Sequence, residues 1–277
     1  MMEIRYGAGP EAVGAMSTGE LRSTFLIENM FPRDELRLVY THIDRMIVGG
    51  CMPVSNAVAF GSGADIGTPF LLSYREMGIA NLGGPGAVEI DGRTFPMDAR
   101  DVLYVGRGAK SLSLSSADPD RPARFYLNAV PSQVDLPHRV ITRAESKVLD
   151  LGSDRNSNRR SLRMYIHPEV APSALLLMGI TDLAPGSAWN TMPPHLHERR
   201  MEAYVYFDLA PEDRVIHLMG RPDETRHLVV ADGDVVLSPA WSIHMGAGTG
   251  PYGFVWGMTG ENQEYTDVDP VPVNTLR

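Results

Sequence analysis

The chain has 277 residues, and its hydrophobic fraction of 43% is sufficient for a packed core. Its net charge of -9 disfavours binding to the phosphate backbone of a nucleic acid, which requires a basic surface. The sequence has no apolar run of the roughly eighteen residues that a membrane helix needs, and residues 1–10 contain no apolar segment. Cys51 is its only cysteine. We therefore expect a cytoplasmic protein that binds neither nucleic acid nor a membrane.

The first predicted element is a short helix that begins after Ser17. Ser17 and Glu20 have the spacing of a capping box, in which each side chain bonds the backbone N–H of the other residue. Leu21, Phe25 and Leu26 follow at the spacing of one helical face. We therefore expect one or a few short helices in a chain that otherwise favours strands.

From Phe31 onward, short β-prone runs alternate with clusters of Gly, Pro, Asp and Asn. Strands that recur at intervals of roughly 8–12 residues with turn signals between them are typical of a sandwich or a barrel. The predicted strands are residues 36–42, 45–48, 86–90, 102–105, 124–129, 175–183, 203–207, 215–219, 227–230, 235–237 and 253–258.

The two halves of the sequence resemble each other weakly. Residues 101–106 are similar to residues 234–239, an offset of 133 residues, and both runs follow a turn-rich segment. This similarity predicts a duplicated barrel. We expect an N-terminal domain at residues 1–135 and a C-terminal domain at residues 136–277.

Four residues of the second half have the types and spacing of a metal site. His195 and His197 alternate as residues i and i+2, which project to the same face of a strand. Glu202 has the wrong parity for that strand, so a turn near residues 198–200 is needed to bring it back beside them. With His244, these residues form a set of nitrogen and oxygen ligands suited to Zn, Fe, Mn, Ni or Co.

These residues resemble the two-part metal motif of the cupin superfamily. The residues that carry the resemblance are Gly186, His195, His197 and Glu202, followed by Gly233, Pro239 and His244. Further segments are similar to the 5-keto-4-deoxyuronate isomerase family, the 4-deoxy-L-threo-5-hexosulose-uronate ketol-isomerases of pectin breakdown. Those segments extend over nearly the whole chain and are residues 40–45, 48–50, 189–193, 199–202, 224–227, 238–244 and 256–267.

The resemblance implies an all-β bicupin built from two double-stranded β-helix barrels. It also implies a homo-oligomer, a hexamer, with one Zn2+ per subunit, and another divalent metal stays an alternative. The implied ligands are His195, His197, Glu202 and His244. At the 133-residue offset, these four residues correspond to Ser62, Ala64, Pro69 and Ser111, so we expect the first barrel to lack metal ligands.

The implied reaction is ketol isomerisation of a small uronate-derived substrate. Its product is 3-deoxy-D-glycero-2,5-hexodiulosonate, formed by moving a proton between two adjacent carbons through an enediolate on the metal. Glu261 and Tyr265, which follow a late strand, are candidate catalytic residues. Tyr204 and Tyr206 share the parity of Glu202, and Tyr204 is a candidate for substrate binding. Candidates for binding the substrate carboxylate are Arg163, Arg199 and Arg200, because a guanidinium binds a carboxylate through two hydrogen bonds.

Three other functions remain open at this stage. A related isomerase would act on 5-deoxyglucuronate, and an iron-dependent cupin dioxygenase would use the same ligands to hold Fe(II). A non-catalytic cupin that binds a sugar acid would retain the ligand without turning it over. Metal analysis, oxygen uptake and a turnover assay discriminate among these functions.

Overall fold

The computed structural model describes residues 2–277, which form mainly β-strands. The two α-helices are α1 (Pro10–Ala15) and α2 (Thr18–Phe25). The strands are β1 (Glu3–Arg5), β2 (Leu26–Ile27), β3 (Arg37–Thr41), β4 (Ile47–Cys51), β5 (Val58–Ala59), β6 (Arg75–Asn81), β7 (Gly86–Ile90), β8 (Arg93–Met97), β9 (Val102–Val105), β10 (Leu112–Ser116), β11 (Phe125–Pro131), β12 (Arg139–Ile141), β13 (Lys147–Leu151), β14 (Arg160–Ile166), β15 (Leu177–Leu183), β16 (His195–Leu196), β17 (Arg200–Phe207), β18 (Val215–Arg221), β19 (Glu224–Val230), β20 (Val235–Ser238), β21 (Met245–Gly248), β22 (Gly253–Gly260) and β23 (Asp269–Pro270). Within residues 2–277, no helix is long and apolar enough to cross a membrane.

The predicted helix after Ser17 is confirmed as α2. The Ser17 hydroxyl accepts the Glu20 N–H at 3.3 Å, and the Glu20 carboxylate accepts the Ser17 N–H at 2.8 Å. These two bonds satisfy donors that the first helical turn leaves open. Leu21 and Phe25 are buried, so this short helix is held by packing as well as by its cap.

The first compact unit consists of residues 2–5, 30–147 and 164–178. Its strands form a sheet in the order β1-β3-β4-β11-β6-β9-β12 and a smaller sheet in the order β5-β10-β7-β8. One apolar core contains side chains from both sheets, including Met77 and Phe125 of the larger sheet and Val88 and Leu114 of the smaller one. Two sheets that pack face to face in this way are what the alternating strand pattern predicted.

The second compact unit consists of residues 6–29, 148–163 and 179–277. Its largest sheet has the order β13-β14-β15-β22-β17-β20-β2, a second sheet has the order β19-β18-β21, and β16 pairs with β23. The N-terminal strand β2 therefore lies at the edge of a sheet built mostly from the end of the chain. Each compact unit therefore combines three separate stretches of the chain. The sequence predicts a single boundary between two domains after residue 135, and that boundary stays a prediction.

The two units share a hydrogen-bonded turn that supports their duplication. In the first unit, the Asp101 carboxylate accepts the Asp98 N–H at 2.9 Å, and the Asp101 carbonyl accepts the Asn81 N–H at 3.0 Å. In the second unit, the Asp234 carboxylate accepts the Ala231 N–H at 2.9 Å, and the Asp234 carbonyl accepts the Tyr206 N–H at 3.1 Å. Each turn leads into the matching strand, β9 or β20.

Strand register identifies what the first unit has in place of Glu202. Glu202 lies opposite Ser238 on β20, and the residue 133 positions before Ser238 is Val105 on β9. Val105 lies opposite Met77, so Met77 occupies the position of Glu202. The sequence comparison had given Pro69 at this place, which is wrong because a single offset ignores the different connection lengths before β6 and β17.

We expect Glu76→Gln to destabilise the first unit. The buried Glu76 carboxylate accepts the Tyr104 hydroxyl at 2.6 Å and the backbone N–H groups of Ala174, Leu175 and Leu176 at 2.7–2.8 Å. An amide has one acceptor oxygen and its NH2 group would face donors, so the free energy of unfolding should fall by about 2 to 4 kcal/mol. Chemical denaturation measures this change.

The matched control is Glu169→Gln, which removes an exposed carboxylate paired with Lys147. This control should leave the denaturation midpoint unchanged, because exposed ion pairs contribute little. Equal midpoints for Glu76→Gln and the wild type would show that the buried carboxylate does not hold residues 174–176.

Candidate metal centre and adjoining cavity

Four side chains of the second unit converge from separate elements. His195 lies on the short strand β16, and His197 follows directly. The chain turns at residues 198 and 199, where the Arg200 N–H bonds the His197 carbonyl at 3.0 Å, and β17 then carries Glu202 back toward the histidines. His244 immediately precedes β21. The predicted turn therefore exists, and it corrects the parity of Glu202.

The ligand atoms of these side chains lie close together. His195 Nε2 is 3.2 Å from His244 Nε2, and the Glu202 Oε2 atom is 3.3 Å from His197 Nε2 and 3.2 Å from His244 Nε2. One ring nitrogen from each of the three histidines lies within 4.8 Å of the other two, close enough for all three to bind a single metal ion. His197, Glu202 and His244 are buried.

This spacing fits a small divalent cation. Ligand bonds of 2.0–2.1 Å in a tetrahedral site place the ligand atoms about 3.3 Å apart. The three separations of 3.2–3.3 Å agree with that value. Three imidazoles and one carboxylate also form a donor set of the kind that binds first-row divalent metals.

The protonation of the histidines also suits metal binding. The His197 Nδ1–H donates to the Arg200 carbonyl at 2.8 Å, which leaves Nε2 with its lone pair toward the centre. Burial, together with the nearby His197 and Arg200 side chains, lowers the pKa of His195 to about 4. Burial likewise holds the pKa of His244 well below its usual range. At neutral pH the imidazoles of His195 and His244 are therefore neutral and able to donate lone pairs.

A cavity of about 310 Å³ opens beside this centre. That volume is at the lower end of the range for small-molecule sites. Polar groups from His195, Glu202, Thr191 and Tyr204 line part of its wall, while most of the remaining surface is apolar. The other lining residues are Leu151, Arg160, Leu162, His197, Phe254, Trp256, Met258, Tyr265, Thr266 and Val268.

Tyr204 connects the cavity to the candidate metal centre. Its hydroxyl donates to the Glu202 carboxylate and accepts from the Thr191 hydroxyl. Burial raises the pKa of Tyr204 well above its usual value, and the Glu202 charge raises it further, so the phenol keeps its proton. Tyr204 and Glu202 line the same cavity, in agreement with their shared parity on β17.

Tyr206 belongs to a separate buried network behind the cavity. The Asn190 amide donates to the Tyr206 hydroxyl at 3.3 Å, and the same hydroxyl forms a hydrogen bond with His217 Nδ1 at 2.7 Å. His217 is fully buried, and its Nε2 atom has no partner within residues 2–277. Burial lowers the pKa of His217 to about 3, so its ring is neutral at physiological pH.

Arg199 and Arg200 hold the C-terminal segment that forms one cavity wall. Arg199 binds Asp267 through two hydrogen bonds of 2.6 and 3.1 Å and Asp269 through one of 2.9 Å, and its guanidinium lowers the pKa of Asp267 to about 2. Arg200 donates to the carbonyls of Glu264 and Asp267 at 2.6 and 2.7 Å. Both guanidinium groups thus bind the C-terminal segment, and neither lines the cavity.

Two further predicted residues also lie away from the cavity, and one unpredicted residue lines it. Arg160 and Leu162 line the cavity, so Arg163 has the opposite parity on β14 and projects to the other face of the strand. Glu261 is exposed, whereas Tyr265 lines the cavity. No sequence signal pointed to Arg160, because it lies in a polar run of residues 154–160 outside the predicted strands.

With the site described, comparison with known families identifies the class of protein. The family model described as KduI/IolB matches residues 25–271, and the chain belongs to this family. Proteins named 4-deoxy-L-threo-5-hexosulose-uronate ketol-isomerase from Yersinia pestis (strain Pestoides F) and Yersinia pseudotuberculosis (serotype O:1b) are each 48% identical over 278 residues. These alignments cover 100% of this chain and 100% of each relative. The family resemblance drawn from the motifs is confirmed.

Solved structures with low sequence identity support the fold. An IolB-like protein from Salmonella typhimurium has a TM-score of 0.66 at 14% identity, covering 82% of this chain and 87% of that chain. An oxalate decarboxylase from Lactobacillus farciminis has a TM-score of 0.58 at 12% identity, covering 85% and 83%. The predicted all-β cupin architecture is confirmed.

We expect Arg199→Gln to loosen the wall formed by residues 264–269. The substitution removes three charge-assisted hydrogen bonds to Asp267 and Asp269, so amides of this segment should exchange with solvent severalfold faster. Hydrogen-exchange mass spectrometry measures the change. Arg221→Gln is the control, because Arg221 pairs with Asp223 at an exposed turn, and it should leave that exchange unchanged. Identical exchange in all three proteins would show that Arg199 does not hold the segment.

His217 should make the protein less stable in acid. The folded state keeps this imidazole neutral down to about pH 3, while the unfolded chain takes up a proton near pH 6.5. The contribution of neutral His217 to the free energy of unfolding is therefore fully present above pH 6.5 and is lost as the pH falls toward 3. The loss should reach about 2 kcal/mol at pH 5.

The measurement is urea denaturation at pH 7 and pH 5 with a chelator present, so that metal release does not contribute. The free energy of unfolding of the wild type exceeds that of His217→Gln by an amount that should be about 2 kcal/mol smaller at pH 5 than at pH 7. His227→Gln, at an exposed position, is the control and should retain the wild-type pH dependence. A difference that is the same at both pH values would contradict the neutral state of His217.

Proposed function

We propose that this chain is a metal-dependent ketol isomerase that converts 4-deoxy-L-threo-5-hexosulose uronate into 3-deoxy-D-glycero-2,5-hexodiulosonate. One observation carries the proposal: a largely buried set of three imidazoles and a carboxylate opens on a small-molecule cavity in a chain 48% identical, over its whole length, to proteins named for this reaction. The substrate carries an aldehyde at one end and a carboxylate at the other. The reaction moves a proton from the hydroxyl-bearing carbon to the aldehyde carbon beside it.

We infer that His195, His197, Glu202 and His244 bind one Zn2+ per subunit. The separations of 3.2–3.3 Å between their ligand atoms support a single ion, and the nitrogen-rich donor set supports zinc over magnesium or calcium. A divalent cation at this place supplies Lewis-acid stabilisation of the negative charge that develops on the substrate oxygens. Metal analysis of the purified protein tests the identity of the ion.

The two phenols of the cavity have different roles in this proposal. Tyr204 keeps its proton because of burial and the adjacent Glu202 charge, so it does not act as a base, and it donates that proton in a hydrogen bond to the Glu202 carboxylate, which it holds in place. Burial also raises the pKa of Tyr265, which lines the same cavity. We propose that Tyr265, rather than the exposed Glu261, contacts the substrate. Apolar lining from Phe254, Trp256 and other residues excludes water from the reacting carbons.

The assembly and location of the protein belong to the same proposal. We propose a homohexamer in the cytoplasm, as the family resemblance implies. Light scattering coupled to size-exclusion chromatography measures the subunit count, and cell fractionation measures the location. The predicted division at residue 135 is also part of the proposal, with metal binding confined to the C-terminal part. Proteolysis that releases stable fragments tests that boundary.

The experiment that tests the reaction is NMR observation of the purified protein with 4-deoxy-L-threo-5-hexosulose uronate. The aldehyde-derived signals should disappear and hydroxymethyl ketone signals should appear. Chelator should stop the change and Zn2+ should restore it. Oxygen uptake with bound iron would instead identify a dioxygenase, preference for 5-deoxyglucuronate would identify the related isomerase, and binding without turnover would identify a sugar-acid binding protein.

We expect His244→Ala to abolish both metal binding and turnover while the fold persists. The substitution removes one of four ligands and leaves the carboxylate of Glu202 without one of its close partners. Elemental analysis and the NMR assay measure the two losses, and circular dichroism monitors the fold. His227→Ala at an exposed position is the control and should retain both properties. An active, metal-replete His244→Ala protein would refute the ligand assignment.

A further inference from the structure

We infer that Arg160 binds the substrate's carboxylate and thereby selects uronates over uncharged sugars. This inference rests on the proposed function, because it assigns one end of that substrate to a residue that no sequence motif singled out. Arg160 is the first residue of β14 and lines the same cavity as His195 and Glu202.

Arg160 is the only Arg or Lys among the residues that line this cavity. The other arginines considered as partners of the substrate carboxylate either bind other groups of the chain or project away from the cavity. Arg199 is bound by Asp267 and Asp269, and Arg200 donates to backbone carbonyls of the C-terminal segment. Arg163 projects away from the cavity. An anionic substrate that enters the cavity therefore meets one cationic side chain.

The guanidinium of Arg160 has donors to spare. Its one hydrogen bond within residues 2–277 runs from a terminal nitrogen to the Asn158 carbonyl at 2.8 Å. A guanidinium has five N–H donors, so most of them remain for a ligand. No carboxylate of the described chain forms an ion pair with Arg160, although the side chain is half-buried. A half-buried cation without an anion is costly, and a substrate carboxylate would offset that cost.

The environment of Arg160 matches the layout of the proposed substrate. The six-carbon chain carries its reacting aldehyde and hydroxyl at one end and its carboxylate at the other. Arg160 lines the same cavity as His195, Tyr204 and Tyr265. One molecule can therefore reach the histidines and Arg160 at the same time. Two-point attachment orients the reacting carbons, which lowers the entropy lost on reaching the transition state.

The test compares the free-acid substrate with its carboxyl methyl ester, using metal-loaded wild-type protein and variants. The wild type should prefer the acid by about tenfold to a hundredfold in kcat/KM, the range expected for hydrogen bonds between charged groups. Arg160→Gln should raise KM for the acid by a similar factor and so remove the preference for the acid over the ester. Arg160→Lys should recover part of the preference, because it keeps the charge but loses the two-pronged geometry.

Arg159→Gln is the matched control, since Arg159 is the adjacent residue, lies exposed and pairs with Asp154. It should keep the wild-type preference for the acid. Metal content and melting temperature are measured for every variant, so that a folding defect in Arg160→Gln is recognised. In that event, the wild-type comparison of acid with ester and the Arg160→Lys variant decide the question.

The possible failures are distinguishable. A wild type that converts neither compound would overturn the proposed function, and the role of Arg160 would fall with it. A wild type that converts acid and ester equally well would overturn the role of Arg160 alone. The same conclusion would follow if Arg160→Gln had the KM of Arg159→Gln for the acid.

Discussion

Three imidazoles and one carboxylate lie within a few ångströms of one another in the second unit. The surrounding strands and turns hold these four groups in place. These groups present lone pairs to one another at 3.2–3.3 Å in a buried region, an arrangement that a cation stabilises. The turn after His197 and the pairing of β17 with β20 and β22 position Glu202. The pairing of β16 with β23, together with the ion pairs of Arg199, fixes His195 and the cavity wall beside it.

The first unit shows what the same strand arrangement becomes without that constraint. It repeats the aspartate-anchored turn before β9 and the order β11-β6-β9, which matches β22-β17-β20. Yet Met77 stands where Glu202 stands in the second unit, and its side chain joins an apolar core. A thioether fills core space and is a poor ligand for the metals that imidazole and carboxylate prefer. The two units thus differ at this position, with an apolar side chain in the first and a carboxylate beside the histidines in the second.

Local spacing made part of this site predictable from sequence. The alternation of His195 and His197 and the capping box at Ser17 are short-range patterns, and the structure places those residues as expected. Long-range register was not predictable, because connection lengths differ between the halves and one offset misplaced the counterpart of Glu202. Arg199 looked available in the sequence because its partners, Asp267 and Asp269, are nearly seventy residues away. Arg160 and Arg163 differ only in strand parity, which requires the exact start of β14.

The most direct test of a shared cation is X-ray absorption at the metal edge of the metal-loaded protein. Four protein ligands of the proposed kinds predict a first shell of nitrogen and oxygen near 2.0–2.1 Å, with outer-shell scattering from three imidazole rings. A first shell containing sulfur, or scattering from fewer than three imidazoles, would contradict the convergence of His195, His197, Glu202 and His244 on one ion.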